Sequence, residues 1–96
     1  MPQEIIIDGV ACVGYRVQLP GSLLLFITAP GGLLGCGYFS IETADRVGEA
    51  VAVVTGVSSF EDMRRAPVAR VSAAAAELGI AIGMSGEEAL RRLGNP

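Results

Sequence analysis

Between Arg16 and Glu42 the chain runs for 25 residues without a charged side chain. A stretch of that length either crosses a membrane, which takes about 20 apolar residues in a helix, or is buried by the fold around it. Pro20-Gly21 and Pro30-Gly31-Gly32 decide between these. Proline lacks an amide hydrogen and fixes φ, and glycine opens left-handed backbone, so both sites break a helix and favour turns. The pieces left between them, LLLFIT and LLGCGYF, are of strand length and read as a buried hairpin. No membrane span is expected.

The same punctuation extends to either side. Ile5, Ile6 and Ile7 lead into Asp8-Gly9, a dipeptide suited to a tight turn with positive φ, and VACVGYRVQL then alternates. That alternation assigns Val13, Tyr15, Val17 and Leu19 to a buried face and Cys12, Gly14, Arg16 and Gln18 to a wetter one. With strands at about 22–29 and 33–40, the first half is an antiparallel meander. The second half changes period. Residues 43–47 suit a short helix ended by Gly48, and AVAVVTGV reads as a central strand buried on both faces. A capping box of Ser58 with Glu61, or Ser59 with Asp62, starts another helical segment, and Pro67 restarts a helix whose stripe is Val68, Val71, Ala75 and Leu78. Ile80 to Ile82 suit a short strand. Ser85 and Glu88 cap a last helix that points Ala89, Leu90 and Leu93 inward. The expectation is one α+β domain over residues 1–96. It has a small, mostly antiparallel sheet of about five or six strands, with three helical segments packed on it.

Composition narrows the chemistry. There is no histidine and, with seven arginines, no lysine. A Ser–His–Asp or Cys–His arrangement, a His-ligated zinc site, a Schiff-base lysine and a P-loop lysine are therefore all outside one chain's means. The two cysteines are 24 residues apart and form no CxxC, so neither metal nor cofactor is expected. A net charge of -3 argues against a nucleic-acid partner. The opening MPQEIIIDG lacks a basic region followed by an apolar one, so the expected setting is cytoplasmic, with reduced thiols. Glu61 precedes Arg65, Glu87 precedes Arg91 and Glu88 precedes Arg92 by four residues, so these arginines read as self-neutralised helix faces and not as a basic patch. GMSGEEAL could cradle an anion before a helix, but Glu87 and Glu88 would repel it, and capping explains the same residues.

The candidate site is Cys36 within GGLLGCGYFS. In an extended strand Leu34, Cys36, Tyr38 and Ser40 share one face, and Gly35 and Gly37 clear the other for a close-packed element. Bulk at Gly37 is then expected to cost about 1–3 kcal/mol by overpacking. Cys36 is the candidate nucleophile, with Tyr38, Ser40 and Arg16 as binding residues. Without histidine, an arginine such as Arg16, a helix N-terminus or another subunit would have to activate it. A buried, inert thiol is the favoured reading of the residue, because free cysteine packs as a small hydrophobe.

The chain also resembles a known family. Ile7-Asp8-Gly9, Leu19-Pro20, Cys36-Gly37-Tyr38, Gly56-Val57, Glu61-Asp62-Met63, Ala66-Pro67-Val68, Gly79-Ile80, Gly83-Met84 with Gly86, and Ala89-Leu90 follow one another as in the YunC-like proteins, a domain of unknown function. The resemblance implies an α+β fold and no known activity. One departure is Ser40, where the family often carries an aspartate. Two functions are carried forward: a non-catalytic module binding a small molecule or a partner, and a thiol-dependent enzyme using Cys36 in a pocket shared between subunits. LLLFITA and AVAVVTGV offer more apolar faces than three short helices can cover, so a homo-oligomer, most simply a dimer, is expected.

Overall fold

The computed structural model describes residues 2–96. Six strands form one sheet in sequence order: β1 (Gln3–Ile7), β2 (Val10–Gln18), β3 (Leu23–Ala29), β4 (Gly32–Gly35), β5 (Val51–Val53) and β6 (Arg70–Val71). Every neighbouring pair is antiparallel except β4 and β5, which run parallel, as a strand pair bridged by a helix can. Asp8 and Gly9 close the first hairpin with φ of 51° and 79°, the two positive angles of a type I′ turn. Four helices complete the domain: α1 (Ile41–Val47), α2 (Phe60–Arg65), α3 (Ala73–Glu77) and α4 (Gly86–Gly94). The fold is the expected α+β, with four helical segments instead of three. The extra one arises because the helix expected to restart at Pro67 is separated from α2 by a strand. Ser72, not Pro67, caps α3, and the stretch before it joins the sheet edge as β6. The expected strand at residues 80–82 is irregular chain that enters a turn at Ile82.

The sheet has two unequal faces. Ile5, Cys12, Leu25, Ile27, Leu34 and Ala52 point to the inner face and are buried there under Met63 of α2 and Ala89, Leu90 and Leu93 of α4. The outer face is covered only towards β5, where Ile41 and Ala44 of α1 pack on Val51 and Val53. So β5 is buried on both faces, as its unbroken apolar run requires.

The assignment of faces on β2 is reversed from the alternation alone. Cys12 and Gly14 are buried while Val17 is 43% exposed, because the Phe60 ring and Ile5 lie directly over Gly14. A larger side chain at residue 14 would displace both. Serines cap all four helices: Ser40, Ser59, Ser72 and Ser85 each accept the amide three residues on. All three expected i,i+4 pairs form, and Glu87 also binds Arg64, which clamps α4 to α2. No described helix is long and apolar enough to cross a membrane.

Candidate functional site

Strand β4 ends at Gly35, five residues earlier than alternation suggested, and this reshapes the GGLLGCGYFS segment. The amide of Phe39 donates to the Cys36 carbonyl at 3.1 Å, so residues 36–39 form a turn and not a strand. The turn carries the Phe39 ring back over β4. A Cβ on Gly35 would meet the ring at Phe39 Cδ2 and, at 2.7 Å, Phe39 Cγ. Gly35 is therefore glycine to admit its own chain's aromatic ring. Gly37 is not a packing glycine: a Cβ there would find only Thr55 Cγ2, at 3.8 Å. The expected overpacking cost at Gly37 is thereby corrected, and the packing role belongs to Gly35.

Cys36 sits where the sheet gives way to the turn. Its backbone amide continues the ladder to the Leu25 carbonyl at 3.1 Å, and the Leu25 amide donates to Cys36 Sγ at 3.5 Å. Cys36 is 6% exposed and borders an open cavity of about 270 Å³ lined by Leu23, Cys36, Gly37, Tyr38, Gly56 and Val57. Tyr38 stands over the opening, with its hydroxyl on Ser22 Oγ, which ties the β2–β3 turn to the β4–α1 turn. Gly56 holds the opposite wall with a φ of 70°, left-handed backbone that a β-branched residue would not adopt. The walls are apolar, and they include no carboxylate, guanidinium or amine.

Of the four residues singled out from sequence, the structure brings two together. Cys36 and Tyr38 share the cavity. Ser40 lies beyond the turn and accepts the Thr43 amide at 3.1 Å as the cap of α1. Arg16 pairs in register with Leu25 and so is a strand away from Cys36; it is exposed and not part of the cavity lining. Sequence reasoning missed Leu23, Ser22, Gly56 and Val57. Gly56-Val57 was legible as a fragment of the family pattern, but nothing in the linear order ties it to Cys36. Cys12 is fully buried on the inner face, where burial pushes its thiol above the ordinary range, and both cysteines are unbridged. Among the described residues, no three His, Cys, Asp or Glu side chains cluster as a metal site would require. At the start of α4, a Cβ on Gly86 would fall on the Met63 carbonyl oxygen, so that glycine serves helix packing and Ser85 serves capping.

Residues 35–93, from the packing glycine to α4, match the domain of unknown function DUF1805. The chain belongs to the DUF1805 family. The uncharacterised protein YunC of Bacillus subtilis is 30% identical over 93 residues, covering 93% of this chain and 92% of its own length. The crystal structure of a protein of unknown function from Thermoplasma acidophilum superposes with a TM-score of 0.94 at 32% identity, covering 98% of this chain and 92% of that one. The matched DUF1805 region holds Cys36, Tyr38, Gly56 and Val57, while Leu23 and Ser22 come from the hairpin before it.

Proposed function

We propose that this DUF1805 protein is a non-catalytic binding module that takes a small, mainly uncharged ligand in the Cys36–Tyr38 cavity. The observation that carries this reading is the lining. A thiol bordered by leucine, valine, tyrosine and glycine, and hydrogen-bonded by a backbone amide, has no base or cation at hand to make it a nucleophile. A volume of about 270 Å³ lies just below the usual range for ligand pockets, which suits a molecule the size of a single ring with short substituents. Two unbridged cysteines fit a reducing, cytoplasmic setting.

A screen of small neutral aromatic fragments, followed by amide chemical shifts, tests the reading. Binders should move Gly37, Tyr38, Gly56 and Val57 together and should still bind Cys36→Ser. The rival, thiol chemistry at Cys36 in a pocket shared between subunits, requires a fast thiol. Iodoacetamide labelling of Cys36 more rapid than that of free cysteine at neutral pH would overturn the binding-module reading, as would fragments that bind only elsewhere.

A further inference from the structure

We propose that the outer face of β1–β3 is the surface on which a second copy of this chain binds. The inner face is closed by α2 and α4, and α1 closes the outer face only as far as β5. What remains is mainly apolar. The residues of β2 and β3 that point outward include Val13, Tyr15, Val17, Leu24 and Phe26, all exposed or half-exposed and none charged. On β1 the same face carries Ile6, which is 55% exposed, and, at the sheet edge opposite Val13, the exposed carboxylate of Glu4. At its centre Tyr15 stacks on Phe26 with ring centroids 4.8 Å apart, and Phe39 meets Phe26 edge-on at 5.4 Å. This gives a rigid aromatic row that loses little freedom on being covered. The patch continues past Leu33 into a groove beside α1, where Val47 is 70% exposed.

Size and charge select the occupant. With strands ~4.8 Å apart and ~3.3 Å per residue, a face three strands wide and seven residues long covers ~330 Å² flat. Two such faces, corrugated by their side chains and extended by the grooves beside α1, approach the ~1,000 Å² that a specific interface needs. An isologous pair matches apolar surface to itself, leaving Glu4 at the β1 edge and Glu49 in the groove as the carboxylates to be kept at its wet rim, and the second copy is present at the chain's own concentration. An anionic membrane would gain nothing here, since the chain is net negative and four of its arginines are held by carboxylates. Tyr38 lines both the groove and the Cys36 cavity, so the partner copy would border that cavity.

Sedimentation of the untagged protein tests the proposal. At micromolar concentration it should run at twice the mass of one chain. The pair Ile6→Glu with Val17→Glu, at sites exposed in the single chain, should keep its circular dichroism and weaken association ~100-fold or more, because symmetry buries each carboxylate twice. Val17→Thr, nearly the same shape, should weaken it ~10-fold and decides the matter if the charged pair does not fold. Ile82→Glu, at an exposed turn before α4, should leave the dimer intact. A wild-type chain that stays monomeric overturns the proposal. So does a dimer indifferent to residues 6 and 17, a dimer lost in Ile82→Glu, or a monomer that instead sediments with phosphatidylcholine vesicles.

Discussion

Substituting Gly35 with alanine places a methyl group where the Phe39 ring now lies, with Phe39 Cγ only 2.7 Å from the new carbon. An ordinary carbon–carbon contact needs about 3.5–4.0 Å, so the ring has to retreat by roughly 1 Å. Its edge-on contact with Phe26 at 5.4 Å limits that retreat. Overpacking of this kind costs about 1–3 kcal/mol, and loss of the aromatic pair adds about 0.5–1.5 kcal/mol. Replacing glycine restores about 0.4–1 kcal/mol by restricting the unfolded chain. The net expectation is a loss of about 2 kcal/mol, a fall of about 1–2 M in the urea midpoint for a slope near the low end for small domains. The diagnostic is a double-mutant cycle with Phe39→Ala. Once the ring is gone, Gly35→Ala should become neutral or mildly stabilising. Midpoints are compared at one protein concentration, so that any association contributes equally. If Gly35→Ala destabilises equally with and without the Phe39 ring, the account of this glycine is wrong.

Two further outcomes follow from particular hydrogen bonds. Ser72 is fully buried, accepts the Val51 amide at 2.9 Å and donates to the Glu49 carbonyl at 2.8 Å while capping α3, so Ser72→Ala should cost about 2–4 kcal/mol in urea unfolding; a midpoint within error of wild type would remove Ser72 as the pin between β5 and α3. Asp62 is held below the usual carboxylate range by the backbone amide of Ser58 and then by its hydroxyl. Its folded pKa lies below the unfolded value of about 3.9, so its contribution is complete at neutral pH and is lost as pH falls below about 4. Asp62→Asn should flatten that acid limb in a stability–pH series, whereas an unchanged limb would place the acid sensitivity elsewhere.

What the linear order determined about this protein was its local grammar. Asp8-Gly9 has to turn, because both residues are needed at positive φ; Pro20-Gly21 and Pro30-Gly31-Gly32 have to interrupt the uncharged run; and Ser59 and Ser85 each precede a helix they cap. Those signals act within a few residues, so the α+β class, the inward face of α4 and its arginine pairs could be read without coordinates. Three matters waited on tertiary structure, each because the deciding neighbour is distant in sequence. The inner face of β2 is the one with Cys12 and Gly14, since Phe60 of α2 fills the space over Gly14. Strand β4 stops at Gly35 because Phe39 folds back onto it, which alternation extended to Ser40 could not anticipate. The cavity beside Cys36 exists only because Leu23, from the β2–β3 hairpin, and Gly56-Val57, from the loop after β5, converge on the turn that carries Tyr38. Periodicity reports which side chains share a face of one element. It holds no information on which other element comes to lie against that face, and for this chain that choice makes the site.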